Sequence, residues 1–272
     1  MWTVRVFRSS MIAITSGIAT VLILGVSTVG ATTTPTSYIT HNVAGANSSY
    51  GQNSLQRVYN AQLAIWYTAT GAPSGVALQE VCHNYVHPDW TDSYQYLRTE
   101  LLARGYQTNV VWTKYLASLQ CQQGTMVAGK GSLVGGDWAL LPGQADGEDR
   151  VAVCVVTQGY VQIKNCSGHL TTYAGQSDIQ SYAYWNFSNS YAPSFAEWAG
   201  GDFNTDNWYS LYFWYNSYSE GDPLNRPTIA LKKVDYSFGR LPLNRATGGA
   251  VVTGRGTYSD HHLISSPFSW VY

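Results

Sequence analysis

The stretch Phe195-Ala-Glu-Trp-Ala-Gly-Gly-Asp-Phe-Asn204 decides the fold class of this chain. Its first part, from Phe195 to Gly200, predicts a buried strand that runs into Asp202. The end of that strand therefore carries a carboxylate, Asp202, and an amide, Asn204. The significance of the tetrapeptide Gly201-Asp-Phe-Asn204 depends on whether other predicted strands carry groups that complement it.

Three further acidic positions lie on or at the ends of predicted strands. Glu80 follows the apolar run Val76-Ala-Leu-Gln79, Asp235 lies within Leu231-Lys-Lys-Val-Asp-Tyr-Ser-Phe238, and Asp260-His261 follows Gly256-Thr-Tyr-Ser259. Carboxylates that converge at strand ends repel one another, so they require protons or a cation. A hard divalent ion such as Mg²⁺ or Ca²⁺ accepts this set of oxygen ligands. The pattern predicts a metal-dependent site.

Many short strands and a few helices predict an α+β fold of two packed sheets with helices outside. The predicted strands are 37–43, 75–78, 110–115, 151–157, 160–164, 195–200, 230–238, 251–253 and 263–264, and the predicted helices are 54–68, 94–104 and 177–186. Leu55, Val58, Leu63 and Trp66 are expected to share the buried face of the first helix. Residues 124–150 are glycine-rich and predict irregular structure, and the phosphate-loop-like run Gly124–Lys130 lacks the serine or threonine that ligates magnesium.

The first residues resemble a targeting segment. Arg5 and Arg8 precede the uncharged stretch Met11–Gly30, and Val29-Gly30-Ala31 offers small residues for cleavage after Ala31. We therefore expect residues 1–31 to be a signal peptide and residues 32–272 to form one secreted domain; an uncleaved anchor is the alternative. The mature chain has 13 Lys and Arg against 16 Asp and Glu, a net charge of −3. Such a surface does not attract polyanions globally.

Four cysteines favour two disulfides in an oxidising compartment, with three possible connectivities. Cys154 and Cys166 lie on or near the two arms of a predicted hairpin, so the pairs Cys154–Cys166 and Cys82–Cys121 are preferred. A zinc site that uses cysteines with His83 or His87 is the alternative, although the spacing matches no standard ligand pattern.

In its motifs the chain resembles the endonuclease/exonuclease/phosphatase superfamily, the deoxyribonuclease I-like group, as a secreted bacterial-type member. The motifs occur in family order: Thr40-His-Asn42-Val-Ala-Gly45, Leu78-Gln-Glu80, Gly168-His169-Leu170, Gly201-Asp-Phe-Asn204, Val234-Asp-Tyr-Ser-Phe238 and Ser259-Asp-His261. The resemblance covers nearly all of residues 32–272 and implies a four-layer α/β/β/α sandwich. His41 stands where many relatives have an aromatic residue, which leaves its role open.

The resemblance also implies a division of roles among these residues. Glu80 would be the principal ligand of Mg²⁺, with Ca²⁺ or Mn²⁺ as alternatives, and Asn42 and Asp260 would complete or support the shell of the ion. Asp202 and Asn204 would position water and phosphate. His261, held by Asp235, would act as general base or polarise the water, and His169 would donate to a phosphate oxygen. Arg150 would contact the substrate phosphate.

The substrate is expected to be a phosphodiester, and nucleic acid is favoured over phospholipid. Six basic residues between Pro223 and Thr257 could form a local phosphate-binding rim. The aromatic segment Trp208–Tyr218 could pack in the core, stack bases or contact lipid. A sphingomyelinase-like or other phosphoesterase is the alternative, and a non-catalytic binding protein is a third possibility. We expect a monomer.

Overall fold

The computed structural model describes residues 33–43, 54–84, 92–117, 120–143, 147–159, 161–173, 175–190, 196–222, 224–229, 232–240, 243–245, 251–252 and 260–271. Several sequence-based predictions fall on residues outside these ranges. They are the signal peptide with its cleavage site, positions 44 and 45 of the first motif, His87, Ser259 of the last motif, and the predicted strand positions 160, 195, 230, 231 and 253. Among the described helices, none is both long enough and apolar enough to cross a membrane.

Strands and helices alternate along the chain. The strands are β1 Thr33–Asn42, β2 Gly75–His83, β3 Tyr106–Leu116, β4 Cys121–Lys130, β5 Ser132–Leu140, β6 Val151–Gln158, β7 Gln162–His169, β8 Ala196–Asp202, β9 Ser219–Glu220, β10 Asp235–Arg240, β11 Leu243–Arg245, β12 Val251–Val252 and β13 Ile264–Val271. The helices are α1 Ser54–Gly71, α2 Ser93–Ala103, α3 Gln176–Ser190 and α4 Trp208–Ser217. Two helices begin at side-chain caps, because Asp92 accepts from the Gln95 amide at 2.9 Å and Asn207 accepts from the Tyr209 amide at 3.1 Å.

The strands form two sheets. One has the order β11-β13-β1-β2-β4-β3, with β12 beside β13, and the other has the order β5-β6-β7-β8-β10-β9. Helices α1 and α2 bury Ala61, Leu97 and Leu101 in a cluster with residues of the first sheet, and α3 and α4 bury Tyr184 and Trp214 against the second. The chain is therefore an α/β/β/α sandwich, as predicted.

Apolar and polar side chains both fill the space between the sheets, where Gln79 Nε2 of the first sheet donates to Ser167 Oγ of the second at 3.0 Å. Tyr38 of the first sheet stacks on Trp198 of the second with ring centroids 4.8 Å apart. Val127 packs in one buried cluster with Val153 and Val155 from the opposite sheet. These contacts between the sheets hold the two sets of strand ends in a fixed relation at the edge of the sandwich.

Strand register places one row of residues across the second sheet. Leu140 of β5 pairs with Val151 of β6, Val151 with His169 of β7, His169 with Asp202 of β8, and Asp202 with Asp235 of β10. In the first sheet, β1 and β2 run parallel, so Asn42 lies beside Gln79 and next to Glu80. Chemistry-bearing residues of both sheets therefore meet at one edge.

Two sequence-based expectations were wrong. Irregular structure was expected over 124–150, but β4 and β5 occupy 121–130 and 132–140; the described residues 141–143 and 147–150 lie outside strands and helices, as expected. The glycines of β4 allow close packing: a Cβ on Gly124 would lie 2.6 Å from the Trp112 ring, and one on Gly129 would lie 2.5 Å from the Asn165 amide. Trp66 does not belong to the buried face of α1, since 56% of it is exposed.

Both preferred disulfides are present, Cys82–Cys121 and Cys154–Cys166. The second pair joins directly opposed residues of the β6–β7 hairpin. The first ties the end of β2 to the start of β4. No described cysteine is free, so the cysteines do not form the alternative zinc site.

Candidate active site

Asp202 is the centre of the cluster at the sandwich edge. Its Oδ2 lies 3.0 Å from Asn42 Nδ2, 3.6 Å from His169 Nε2 and 3.6 Å from His261 Nε2. Its Oδ1 accepts from the backbone amide of Asn204 at 2.9 Å. Burial raises the pKa of the Asp202 carboxyl above its ordinary value, and the neighbouring Asp235 carboxylate acts in the same direction. A cation beside Asp202 would oppose this shift.

The backbone on both sides of Asp202 is shaped for this position. Gly201 lies where β7 and β8 approach closely, and a Cβ there would lie 2.1 Å from the Gly168 carbonyl oxygen. Asn204 adopts a positive φ of 49°, and its side-chain amide donates to the Leu170 carbonyl at 2.8 Å. Left-handed backbone tolerates asparagine better than most residues. The glycine and the asparagine of the tetrapeptide therefore have structural as well as chemical reasons to occur.

Glu80 is brought to the site by an irregularity in β2. The register between β2 and β4 shifts between Leu78 and Val81, and Glu80 has a φ of 56°. Positive φ is uncommon for a glutamate and clusters at functional positions. The bulge turns the Glu80 side chain so that its Oε1 lies 3.0 Å from Asn42 Nδ2.

His261 and Asp235 form a buried dyad. The His261 Nδ1 lies 2.8 Å from Asp235 Oδ2, and its Nε2 lies 4.0 Å from Asp260 Oδ1. Burial acts to lower the pKa of His261, but the Asp235 and Asp202 carboxylates outweigh it and hold this pKa well above its ordinary value. The hydroxyl of Thr228 accepts from the Asp235 amide at 3.0 Å and fixes the backbone at the dyad.

His169 has a different environment from His261. Arg150 Nη1 lies 3.0 Å from His169 Nε2, and Arg150 Nη2 lies 3.2 Å from Glu148. A guanidinium only donates, so His169 Nε2 accepts. Burial, with the positive charges of Arg150 and His261, lowers the pKa of His169 well below its ordinary value. In this arrangement Arg150 engages the Nε2 of His169, and donation from His169 to a phosphate oxygen stays a prediction.

The structure brings all nine expected site residues into one connected cluster: Asn42, Glu80, Arg150, His169, Asp202, Asn204, Asp235, Asp260 and His261. Two supporting residues were not expected from the sequence, Glu148 and Thr228. Neither belongs to a motif, and only the fold shows that they contact Arg150 and Asp235.

Solved structures show what this architecture is similar to, whereas no family model and no curated protein matches the sequence. An endonuclease/exonuclease/phosphatase from Beutenbergia cavernae has 16% identity and a TM-score of 0.67, over 87% of this chain and 72% of that one. One from Bacteroides vulgatus has 13% identity and a TM-score of 0.66, over 87% of this chain and 99% of that one. The chain has the endonuclease/exonuclease/phosphatase fold. TDP2 of D. rerio, solved with a single-stranded DNA product, shares it with 16% identity and a TM-score of 0.58, over 86% and 98% of the two chains.

Within the endonuclease/exonuclease/phosphatase fold of this chain, the Asn42 side chain offers a direct test of whether a divalent cation fits. Its amide nitrogen lies 3.0 Å from oxygens of both Glu80 and Asp202. The nitrogen and oxygen of an asparagine amide exchange places when the group turns over. Turned over, the amide would add its oxygen to two carboxylates, which is the all-oxygen ligand set that Mg²⁺ and Ca²⁺ take. The residues fit a hard divalent ion.

A second group of side chains also has the spacing of metal ligands. One ligand atom each from Asp202, Asp235 and His261 lies within 4.8 Å of the others. We favour the Glu80–Asn42 side for the ion, because His261 Nδ1 and Asp235 Oδ2 are already hydrogen-bonded to each other. A cation bound by His261 would occupy either Nδ1, which Asp235 already engages, or Nε2, the basic nitrogen.

Proposed function

We propose that this chain is a secreted, divalent-metal-dependent phosphodiesterase that cleaves its substrate by in-line attack of water. The observation that carries the proposal is the placement of Asp202 between a cation-binding side, Glu80 and Asn42, and two histidines with opposite pKa shifts. Groups whose environments push their pKa values apart are typical of acid–base sites. The similarity in fold to endonuclease/exonuclease/phosphatase structures supports the same class of reaction.

In the proposed reaction, the residues of the site would bind the cation, take a proton from water and contact the phosphate. A cation bound by Glu80 and Asn42, with support from Asp260, would neutralise charge on the phosphate and lower the pKa of a bound water. His261 would take a proton from the attacking water at Nε2, and Asp235 would hold the imidazole orientation through Nδ1. Arg150 would donate to phosphate oxygens, with His169 positioning its guanidinium.

Nucleic acid is the substrate class we propose to test first, because similar structures include an enzyme solved with a DNA product. The expected basic rim gives this choice little support. Arg226 pairs with Asp222 at 2.8 Å, Lys233 pairs with Glu220, and Arg240 lies at the far end of β10 from Asp235. Lys232 is exposed beside Ile229, which also bridges to His261. The positions of Arg255 and of the Arg245 side chain lie outside the described part of the chain.

A phospholipid or other choline phosphodiester is the second candidate. The specific observation that favours it is a cavity between β3 and β5, with Asp149 and Val151 on either side of Arg150 in its lining and no lysine or arginine among its described lining residues. Export after cleavage at Ala31 remains part of the proposal, and the two disulfides support it because disulfides persist in oxidising compartments. We also propose that the protein acts as a monomer.

The test compares hydrolysis of plasmid DNA, RNA and sphingomyelin vesicles by the mature chain, 32–272, with Mg²⁺ and with chelator. We expect metal-dependent cleavage, and Glu80→Gln should lower it by at least roughly 100-fold. Glu100→Gln, which changes a carboxylate paired with Arg104 on α2, is the matched control and should be silent. Equal activity in chelator, or an active Glu80→Gln enzyme, would contradict the proposal.

Metal binding can be measured without turnover. A divalent ion at 100 times its Kd stabilises the folded state by about 2.7 kcal/mol, so the melting temperature of the wild type should rise. Glu80→Gln should abolish that rise and His261→Ala should retain it. The reverse pattern would place the ion at the Asp202–Asp235–His261 group.

A further inference from the structure

One side chain of α3, Gln180, joins the segment that follows β5 to the segment that follows β7. Its Oε1 accepts from the Thr171 amide at 2.8 Å, and its Nε2 donates to the Pro142 and Gly143 carbonyl oxygens at 2.9 and 3.0 Å. Gln180 is fully buried. A glutamine amide has one oxygen and two N–H groups, so each of these groups is engaged.

The segment after β7 belongs to the candidate site through Leu170. Its amide donates to the Asp202 carbonyl at 2.9 Å, and its carbonyl accepts from the Asn204 side chain at 2.8 Å. Thr171, whose amide Gln180 holds, is the next residue of the chain. The Asn204 side chain is therefore bonded to a stretch of backbone that Gln180 fixes.

The segment after β5 leads to Arg150. Leu141 donates its amide to the Arg150 carbonyl at 2.7 Å, and Pro142 and Gly143 follow Leu141 directly. Both of these residues are exposed, and Gly143 has a positive φ of 76°. An exposed segment of this kind relies on its hydrogen bonds to buried groups for a fixed position. Gln180 supplies two such bonds, next to the contact between Leu141 and Arg150.

Helix α3 is a rigid support for these bonds. Tyr184 lies one turn after Gln180 on the same face, and its hydroxyl donates to the Gly200 carbonyl at 3.0 Å. A Cβ on Gly168 would lie 2.6 Å from the Tyr184 ring, so the helix packs directly on β7. Because α3 is held against β7 and β8, Gln180 ties both segments to a fixed element.

We propose that Gln180 is a positioning residue that sets the spacing between Arg150 and Asn204 for the substrate phosphate. This inference rests on the phosphodiesterase chemistry proposed above and adds to its phosphate side a residue that belongs to no motif. Gln180 acts through the two backbone segments that it joins, and a shift of about 1 Å in a reacting group lowers a rate about 100-fold. The cation side, Glu80 and Asn42, lies on the first sheet, whereas the residues bonded to Gln180 follow strands of the second.

The binding test measures inorganic phosphate by titration calorimetry in chelator, and Mg²⁺ by the rise that it causes in the melting temperature. Gln180→Met keeps an unbranched side chain of similar size and removes all three hydrogen bonds. It should weaken phosphate about 10-fold, which corresponds to one hydrogen bond to a charged group. Gln180→Asn keeps the amide on a shorter side chain, so its affinity should fall between those of the wild type and Gln180→Met. Mg²⁺ should raise the melting temperature of both variants as much as that of the wild type.

Three outcomes of the binding test would count against the proposal. Normal phosphate binding by both variants would overturn the positioning role alone. An equal weakening of phosphate and Mg²⁺ would indicate a general loosening of the fold and would overturn that role as well. A wild type that binds no phosphate would contradict the phosphate side of the proposed function, on which the role of Gln180 depends.

The kinetic test uses Ser188→Ala as the matched control. Ser188 lies on the same buried face of α3 about two turns after Gln180, and its hydroxyl lies 3.1 Å from that of Tyr218. In hydrolysis of bis(p-nitrophenyl) phosphate with Mg²⁺, Gln180→Met should lower kcat/KM by roughly 10- to 100-fold, and Ser188→Ala should stay within about threefold. The acidic limb of the pH profile should stay in place in Gln180→Met, because the Asp235–His261 dyad is untouched. A normal kcat/KM in Gln180→Met, or a matching loss in Ser188→Ala, would overturn the positioning role.

Discussion

Replacing Asp235 by asparagine tests the dyad most directly. The change removes a buried anion whose Oδ2 lies 2.8 Å from His261 Nδ1, while it keeps the shape of the side chain. An opposite charge at this distance shifts a pKa by about 1–3 units, so the pKa of His261 should fall by that amount. A general base contributes about 10²–10⁴-fold to rate, and we therefore expect kcat to fall at least ~10²-fold.

The pH dependence carries a second signature of the same change. Since His261 must lose its proton to act as a base, the acidic limb of the rate profile should move to lower pH by about 1–3 units. The raised pKa of His261 stabilises the fold fully below the unfolded value near 6.5, and this contribution is lost as pH rises through the folded pKa. The stability difference between wild type and Asp235→Asn, about 1.4–4 kcal/mol at pH 6, should therefore shrink at alkaline pH.

The assay measures hydrolysis of bis(p-nitrophenyl) phosphate from pH 5 to 10 at saturating Mg²⁺, together with urea unfolding in chelator. Asp92→Asn is the matched control, because Asp92 forms a similar buried pair with His83 outside the site. That variant should lose stability and keep kcat within about threefold. An Asp235→Asn enzyme with near-normal kcat, or with its acidic limb unmoved, would refute the dyad.

Three further predictions concern the scaffold and are read by urea or thermal unfolding. Burial lowers the pKa of His41 to about 4, so the free energy of unfolding should fall as pH falls from 6.5 toward 4. Over this range the wild type should lose roughly 3 kcal/mol more than His41→Leu, and an equal loss in the two proteins would contradict the prediction. Gly201→Ala should lower the free energy of unfolding by roughly 3 kcal/mol, because its Cβ would meet the Gly168 carbonyl oxygen. Gly159→Ala has open space around its Cβ and should change stability little, so equal losses in the two variants would contradict the prediction. Replacing Cys82 and Cys121 by alanine should lower the free energy of unfolding by about 4 kcal/mol, and replacing Cys154 and Cys166 should lower it by about 3 kcal/mol. The difference follows from the lengths of the closed loops, with sequence separations of 39 and 12. An unchanged stability after reduction of the protein would contradict both values.

The site was more predictable from sequence than much of its scaffold. Asp202 ends β8, and the apolar run before it predicts that strand end. Asp235 was expected inside a strand and instead begins β10, and Glu80 lies within β2 at a register shift that periodicity does not detect. The convergence of those ends is a property of sheet order, and the ordered motifs supplied it through the resemblance. Register then brought His169 and Asp235 to either side of Asp202.

The errors arose where tertiary packing overrides local preference. Glycine-rich β4 and β5 have a composition typical of loops, yet Gly124 lies under the Trp112 ring and Gly129 lies against Asn165 of the opposite sheet. Basic residues near Asp235 suggested a rim, but the buried Lys233 pairs with Glu220 and Asp222. A charge count along the sequence cannot show which cations are already paired.

The charges of the candidate site explain why a cation and a proton would be linked there. Burial raises the pKa of Asp202, so the carboxylate is costly without a positive neighbour. His261 supplies one such neighbour when protonated, and that is the form its carboxylates favour. A divalent ion on Glu80 and Asn42 would supply another, and it would lower the pKa of His261 by like-charge repulsion. Binding of the ion would thus free the Nε2 of His261 from its proton, so the same cation that activates the phosphate would prepare the base.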